Sequence, residues 1–253
     1  MNINELVLEI TRRCNIKCRH CLRGAPQRKD MSDETIDKVL EGVDFISTIT
    51  FTGGEPQLAV DRIRYFTKAI KARGIELGGF YVITNGKVAS LDLVHALLDL
   101  YAYVHPMERD ETCSLIVSRD QYHHEQCDPK KAIALYSGLS FFRPNQSKGQ
   151  IDPYLVIAEG RAKDWGGRPA PHPGVVVGLD DDGNVECLEE TTYVNVLGDV
   201  CLACDYSYAT QAKKKIGNVH EETLAEIYKR QVPREEPDDL IVNHNDEITR
   251  EAA

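Results

Sequence analysis

The feature that most constrains the fold is an alternation of short apolar segments with amphipathic ones through the first two-thirds of the chain. The apolar segments are rich in β-branched and aromatic residues, as buried strands are, and the segments between them have helical spacing. This alternation predicts an α/β fold with a mainly parallel sheet. Strands are predicted at residues 6–10, 46–51, 80–83, 114–117 and 154–157, and helices at 35–43, 59–72, 91–100 and 130–136.

Polar residues and glycines directly follow the predicted strands. They form the segments 52–56 (Thr-Gly-Gly-Glu-Pro), 84–86 (Thr-Asn-Gly), 118–120 (Ser-Arg-Asp) and 159–161 (Glu-Gly-Arg). Because the carboxyl ends of parallel strands meet at one edge of a sheet, these segments are expected to lie together. That edge is where α/β folds bind ligands.

The length of 253 residues suits one large domain, or one domain with a small appendage. No apolar run is long enough to span a bilayer, and no basic flank of the kind found in signal peptides precedes the first apolar segment. The sequence therefore predicts a cytoplasmic protein with no membrane partner. In that compartment the eight cysteines are expected to be metal ligands or reactive thiols rather than disulfides.

The formal charge of −10 is unevenly distributed. Residues 232–253 carry seven acidic and two basic side chains. Their net charge, 2 − 7 = −5, is half of the total. This composition predicts a solvated, flexible tail. The remainder is mildly acidic and gives no support for binding of nucleic acid.

Three cysteines, Cys14, Cys18 and Cys21, follow the first predicted strand with the spacing C-x3-C-x2-C. A zinc site or a structural iron–sulfur cluster needs a fourth protein ligand, and His20 lies between two of the cysteines, where it is poorly placed to serve the same ion. A catalytic cluster needs only three cysteines, because its fourth iron stays open for another ligand. The spacing favours this third interpretation without excluding the other two.

Gly53, Gly54, Glu55 and Pro56 follow the second predicted strand. Two glycines at a strand end let a backbone approach a ligand closely, and their carbonyls together with a nearby carboxylate suit a ligand ammonium group. Taken alone, the segment would also fit an ordinary turn between a strand and a helix.

Together, the cysteine spacing and the Gly-Gly-Glu-Pro segment resemble the radical S-adenosylmethionine (radical SAM) superfamily over residues 5–161. The resemblance implies a partial (β/α)6 barrel with a [4Fe-4S] cluster on the three cysteines. It implies that the fourth iron binds S-adenosylmethionine, with His20 in the ring position of the motif. Gly53, Gly54 and Glu55 would hold the amino group, and Pro56 completes this cofactor-binding segment. One electron would cleave this cofactor to a 5′-deoxyadenosyl radical, which takes a hydrogen atom from a substrate. A flavodoxin- or ferredoxin-like protein is the expected electron donor.

Further strand-end residues are candidates for the cofactor site. Asn85, Ser118 and Asp120 are placed to hydrogen-bond the ribose or carboxylate of S-adenosylmethionine, and ordinary turn chemistry explains Asn85 equally well. Arg161 is placed to pair with the methionine carboxylate or, alternatively, with Glu159 or another acidic side chain.

Three side chains are candidate hydrogen or proton donors to the substrate: His123, Cys127 and Cys113. A histidine soon after the fourth strand can transfer a proton, although a surface or supporting role is the favoured alternative. The two cysteines are lone thiols of the kind usually packed in a core. In a radical enzyme, however, such a thiol can return a hydrogen atom to a substrate radical.

The character of the chain changes after residue 165, where a hairpin with an Asp-Gly turn is predicted at 175–184 and a helix at 223–229. Cys187, Cys201 and Cys204 lie in this part, which resembles a short Twitch or SPASM extension. They are candidate ligands of an auxiliary iron–sulfur cluster, with a zinc site or unligated cysteines as alternatives. The predicted division is a barrel at 1–165, the cysteine-bearing extension at 166–231 and the tail at 232–253.

The predicted function is that of a radical SAM enzyme acting on a ribosomally made peptide, or alternatively on a nucleotide, sugar or other small metabolite. The first strand begins near residue 5, so a leader peptide would need a separate binding partner. The rival from another class is a non-catalytic iron–sulfur electron-transfer protein.

Overall fold

The strands of the protein form one mixed sheet in a computed structural model that describes residues 1–106, 109–143, 150–171 and 176–232. The strands are β1 (Asn2–Thr11), β2 (Phe45–Gly53), β3 (Glu76–Thr84), β4 (Cys113–Val117), β5 (Phe142–Arg143), β6 (Val177–Leu179), β7 (Val185–Val194), β8 (Asp199–Cys201) and β9 (Gly217–Asn218). The helices are α1 (Asp33–Val39), α2 (Val60–Arg73), α3 (Leu91–Tyr103), α4 (Arg109–Thr112), α5 (Gln121–His124), α6 (Lys130–Tyr136), α7 (Tyr208–Lys214) and α8 (Leu224–Lys229).

The strand order in the sheet is β5-β4-β3-β2-β1-β7-β8-β9, and β6 also pairs with β7. Strands β1 to β5 pair in parallel, and β7 pairs in parallel with the other side of β1. The remaining pairs, β6–β7, β7–β8 and β8–β9, are antiparallel. The prediction of an α/β fold with a mainly parallel sheet is therefore confirmed.

The predicted strand at 154–157 is wrong. Residues Pro153–Leu155 form a 3-10 turn that the side chain of Asp152 caps, accepting a hydrogen bond from the backbone N–H of Tyr154 at 3.0 Å. Proline supplies no N–H to a sheet ladder and fixes a φ that suits such a turn. Only one bridge, between Ile157 and Arg168, remains at this position. Over the described ranges the sheet is open, with β5 and β9 at its ends, and the expected partial (β/α)6 barrel is not confirmed.

The predicted helices form where their caps and apolar faces place them. The Ser32 hydroxyl accepts a hydrogen bond from the N–H of Thr35 at 3.0 Å, and Ser90 does the same for Leu93 at 3.1 Å, so both serines cap a helix start. Helix α2 ends at Gly74, which has the left-handed φ of 69° that glycine tolerates best.

The period of two along the strands divides the sheet into a packed face and a cavity face. In β2, Ile49 and Phe51 are buried in the core beneath the helices, and in β3 Phe80 and Val82 are buried in the same way. The intervening residues line a cavity on the opposite side of the sheet, among them Thr50, Thr52, Tyr81 and Ile83. The core therefore fixes which side chains face the cavity.

The cysteine-bearing extension adds its strands to the sheet of the preceding part. The register of β1 against β7 runs from Asn2 opposite Cys187 to Leu8 opposite Val194. The predicted hairpin is present as β6 and β7, except that its first residue, Val175, lies outside the described residues. The predicted tail lies outside them as well, apart from Val232. None of the helices in the described ranges has the length and apolarity to cross a membrane.

Candidate active site

A cavity of about 470 Å³ lies at the carboxyl edge of the parallel strands. Its size falls in the range of small-molecule sites. Its wall includes the three cysteines of the first motif and every predicted cofactor-binding residue except Asp120. These residues are Cys14, Cys18, Cys21, His20, Gly53, Gly54, Glu55, Pro56, Asn85, Ser118 and Arg161. The structure thus brings together motifs that are far apart in the chain.

The three cysteines lie on a loop that leaves β1 at Thr11 and returns at Asp30. A bridge between these two residues closes the loop, and a bond from the N–H of Arg12 to the carbonyl of Lys29 at 2.8 Å supports it. Within the loop, the N–H of Cys21 bonds to the carbonyl of Cys18 at 3.3 Å. These bonds fold the segment back on itself, so that all three thiols meet the same cavity.

The chemistry of the three thiols suits a metal cluster. Burial raises the pKa of Cys18 to about 12, and repulsion from the thiolates of Cys21 and Cys14 adds to this effect. Burial is also the main cause that raises the pKa of Cys14. Thiolates held close together and half-buried are stabilised when a cation binds them, which is how cysteines ligate iron. The donor set therefore fits an iron–sulfur cluster.

The two glycines of the second motif are required by contacts within the protein itself. A Cβ added to Gly53 would lie 2.0 Å from the carbonyl oxygen of Thr11, and one added to Gly54 would lie 2.1 Å from that of Arg13. The N–H of Gly54 and of Glu55 donate to these two carbonyls, each at 2.8 Å. The glycines thus let the end of β2 pack against the start of the cysteine loop, a contact that the sequence did not reveal.

Glu55 is a buried carboxylate at the cavity wall, 1% exposed. It accepts hydrogen bonds from the Thr84 hydroxyl at 2.6 Å and from the N–H of Asn85 at 2.8 Å, which join the ends of β2 and β3. Burial raises the pKa of Glu55 to about 6, against the effect of these bonds. A buried carboxylate that lacks a cation is a natural partner for a ligand ammonium group.

Asn85 and Lys87 attach the end of β3 to the cysteine loop. The side-chain amide of Asn85 donates to the Asn15 side chain at 2.8 Å, and the Lys87 ammonium donates to the Asn15 carbonyl at 2.8 Å. Ser118, at the end of β4, lines the cavity next to these residues and donates its N–H to the Thr84 carbonyl at 2.9 Å. The strand ends therefore hold the loop as well as line the cavity.

Arg161 also supports the cysteine loop. Its guanidinium donates to the carbonyl of Cys18 at 2.8 Å, and its backbone N–H donates to that of Cys21 at 2.9 Å. The alternative pairing with Glu159 is wrong, because Glu159 instead accepts hydrogen bonds from Ser207 and Thr210 in the extension.

Asp120 lies behind the cavity wall, where it orients His123. Its carboxylate caps α5 and lies 2.5 Å from Nδ1 of His123, which faces the cavity. Burial alone would raise the pKa of Asp120, but the bond and the charge of His123 lower it to about 2. The ring of His20 lies edge-on to that of His123, with 5.1 Å between the ring centres. Its buried Nδ1 has no hydrogen-bond partner among the described residues, and burial lowers its pKa to about 4.

The structure separates the two lone thiols proposed as hydrogen donors. Cys113 begins β4 opposite Phe80 and is fully buried in the core, so it does not reach the cavity and that prediction is wrong. Because β4 runs parallel to its neighbours, its first residue lies far from their carboxyl ends. Cys127 is partly buried near the end of β3, 3.5 Å from the Asn85 carbonyl, but it is not part of the cavity wall.

The three cysteines of the extension do not converge. Cys201 pairs with Tyr193 in the sheet, whereas Cys187 lies six residues earlier in the same strand β7. At the usual rise of a strand this separates Cys187 from Cys201 by about 20 Å. The predicted use of all three as ligands of one auxiliary cluster is therefore wrong. Cys201 is buried beside Val7 and Tyr193, and Cys204 lines the main cavity.

A buried polar network that was not predicted joins the two parts of the chain. The carboxylate of Glu9 in β1 is fully buried and accepts bonds from Arg12 at 2.6 Å, Tyr193 at 2.6 Å and Gln211 at 3.0 Å. Arg23 is buried beside it and lines the cavity. A charged residue inside the apolar run of β1 was the available signal for Glu9, while Arg23 had none.

Residues 8–106 match the model of the Radical SAM superfamily. The matched part holds the cysteine loop, the glycine motif and strands β2 and β3. Among curated proteins, none matches the sequence significantly.

Solved structures share the fold. The chain superposes on anSMEcpe with bound AdoMet, at a TM-score of 0.57 and 14% identity over 90% of this chain and 77% of that one. A second anSMEcpe structure, with AdoMet and the Cp18Cys peptide, gives 0.58 and 14% over 90% and 80%. Streptococcus suis SuiB bound to its precursor peptide SuiA gives 0.54 and 12% over 89% of this chain and 64% of SuiB. At such identities the likeness concerns the fold.

Proposed function

We propose that the protein is a radical SAM enzyme that cleaves S-adenosylmethionine reductively and takes a hydrogen atom from a substrate. The observation that carries the proposal is the meeting of Cys14, Cys18 and Cys21 with residues 53–55 at one cavity. A cluster held by three cysteines has an open iron, and the neighbouring Glu55 carboxylate lacks a cation among the described residues. An electron-transfer protein would not need an unpaired carboxylate beside its cluster.

In this proposal Cys14, Cys18 and Cys21 hold the cluster, and Glu55 accepts the amino group of S-adenosylmethionine. When bound, the cluster and the cofactor supply a one-electron cleavage that gives a 5′-deoxyadenosyl radical. Asn85 and Arg161 keep the cysteine loop in place through Asn15 and Cys18. A flavodoxin- or ferredoxin-like protein supplies the electron.

The test is anaerobic reconstitution with iron and sulfide, followed by dithionite and S-adenosylmethionine. Formation of 5′-deoxyadenosine is expected for the unmodified chain and not for a Cys14→Ala variant. Equal amounts from the two proteins would overturn the proposal, as would none from either when the unmodified chain carries its cluster.

We further propose a peptide as the substrate. Support comes from the fold shared with anSMEcpe and with SuiB, both of which are known in complex with peptides. Fractions of a cell extract separate this class from small metabolites. A fraction that stimulates 5′-deoxyadenosine formation should lose its effect after protease treatment. Stimulation that survives the protease would support the metabolite alternative.

A further inference from the structure

Arg23 is a buried cation with few partners at the wall of the cavity. Its side chain is only 9% exposed, and it follows Cys21 by two residues. Its Nη1 donates to the Tyr206 carbonyl at 2.7 Å, and its guanidinium carbon lies 5.0 Å from the centre of the Tyr193 ring. Within the described ranges its side chain makes no other hydrogen bond and no ion pair. A charge buried in this way is costly unless it is paired.

The nearest buried carboxylate is committed to another arginine. Glu9 forms a 2.6 Å ion pair with Arg12, whose remaining nitrogens donate to Gln27 and Gln211 at 3.2 and 2.8 Å. The second oxygen of Glu9 accepts from Tyr193 and Gln211. Two buried guanidinium groups therefore face one buried carboxylate, which leaves a surplus positive charge at Arg23.

The unused edge of the Arg23 guanidinium presents donors spaced for the two oxygens of one anion. With Nη1 occupied by Tyr206, the Nε–H and the Nη2–H on the side of Nε remain as a parallel pair of donors. Some side-chain atoms of the described residues are fully buried and also lack a hydrogen-bond partner. Neither of these two nitrogens is among them. Because Arg23 lines the cavity, a ligand there can reach this edge.

The amino-acid part of S-adenosylmethionine is not the anion that this position suits. Arg23 packs on Tyr193 of β7, whereas Glu55 follows β2, and β1 lies between these strands. Two strand spacings separate the sites by about 10 Å. The amino and carboxylate groups of the cofactor share one carbon atom and lie within about 3 Å of each other. A cofactor held through its amino group at Glu55 leaves Arg23 free.

We propose that Arg23 binds a carboxylate of the substrate and so places the substrate beside the cysteine loop. A carboxylate is favoured over a phosphate, because one guanidinium balances one charge and the acids Glu5 and Asp205 also line the cavity. The assignment of the anion to the substrate rests on the proposed function, while the anion site itself does not. For a peptide, the group is an acidic side chain or the C-terminus.

The test is calorimetric titration of the reconstituted chain, saturated with S-adenosylmethionine, with succinate, succinamide and inorganic phosphate. Succinate is expected to bind, and succinamide is not. Arg23→Gln should weaken succinate binding at least about tenfold, and Arg23→Lys by a smaller factor, because lysine keeps the charge but not the paired donors. Asp205→Asn should strengthen binding by about twofold to fivefold, because it removes a nearby negative charge.

The outcomes separate this proposal from that of the enzyme activity. Binding of phosphate without succinate would overturn the choice of carboxylate, and equal binding of succinate and succinamide would overturn the anion site. If Arg23→Gln abolishes the binding of S-adenosylmethionine, then Arg23 serves the cofactor and the proposal is wrong. Thermal unfolding identifies a misfolded Arg23→Gln variant, in which case Arg23→Lys and Asp205→Asn still decide. A failure to form 5′-deoxyadenosine would leave the titration result unaffected.

Discussion

The two groups of cysteines in this chain both end in a C-x2-C pair, but the fold places their members differently. Cys14, Cys18 and Cys21 lie on a closed loop at the carboxyl end of β1, and all three reach one cavity. Cys187, Cys201 and Cys204 are spread over β7, β8 and the following turn, and the register of the sheet places Cys187 far from the other two. Closeness in sequence brings ligands together within a loop, whereas an extended strand carries them apart.

The largest expected effect follows directly from this difference. Cys14→Ala should reduce the iron bound after reconstitution from about four atoms per chain to almost none, because a cluster held by three cysteines is lost with one of them. Cys187→Ala, the matched control, should leave the iron content unchanged. Iron and sulfide analysis of the two variants checks both statements.

Loss of iron from Cys187→Ala as well would contradict the comparison, because both groups of cysteines would then be needed to hold iron. Retention of four irons by Cys14→Ala would show that the cluster, if present, is held elsewhere.

The buried polar network around Glu9, which joins β1 to the cysteine-bearing extension, gives the next largest effect. Glu9→Ala removes the carboxylate that, among the described residues, pairs with the buried Arg12, and it also leaves the Tyr193 hydroxyl without its acceptor. Loss of one partner from a buried pair should lower the free energy of unfolding by about 3–5 kcal/mol. Urea unfolding of the reduced, metal-free protein measures this change.

Asp92→Ala is the control for Glu9→Ala, because Asp92 pairs with Arg64 at the surface, where both side chains are about half exposed. It should cost less than about 1 kcal/mol. If the two variants lose similar stability, the network is not what holds the extension to β1.

The sequence predicts most of the cavity but little of the buried network around Glu9. Short apolar segments and the polar residues after them locate β1 to β4 and the edge where ligands bind. The cysteine loop is also readable, because its residues are neighbours in the chain. Glu9, however, meets Tyr193 and Gln211 from more than 180 residues away, and no local pattern predicts such a pair. Cys113 is no candidate, because the first residue of β4 lies at the edge of the sheet opposite to the cavity.

A smaller effect should separate the glycines of the cavity from glycines elsewhere. Gly54→Ala would bring a Cβ against the backbone carbonyl of Arg13, which no side-chain movement relieves. The expected cost is about 1–3 kcal/mol, as for other overpacked sites, with weaker binding of S-adenosylmethionine. Gly138→Ala meets nothing within 4 Å and should change stability by less than about 1 kcal/mol in either direction. Urea unfolding and cofactor titration of both variants measure the difference, and equal losses would show that the contact with the cysteine loop is unimportant.

The smallest effect is a pH dependence that distinguishes cofactor binding from stability. Burial raises the pKa of Glu55 to about 6, so its carboxylate form is lost as the pH falls through that value. If this carboxylate binds the amino group of S-adenosylmethionine, affinity should be highest above pH 6 and should fall by up to about tenfold per pH unit below it.

The contribution of Glu55 to the stability of the cofactor-free protein should respond with the opposite sign. This contribution is the difference in unfolding free energy between the unmodified chain and Glu55→Gln, because His20, whose pKa burial lowers to about 4, changes the stability of both proteins in the other direction. A carboxyl whose pKa is raised on folding contributes stability that is fully present below its unfolded pKa and is lost as the pH rises through 6. Cofactor affinity, and the stability difference between the unmodified chain and Glu55→Gln from urea unfolding, should therefore follow opposite trends over the same pH range. Glu55→Gln should flatten the affinity profile, while Glu5→Gln, on the same cavity wall, should leave it in place. Affinity that stays constant through pH 6 in the unmodified protein would remove Glu55 from the cofactor site and leave it with the role that its bonds to Thr84 and Asn85 already show, that of joining β2 to β3.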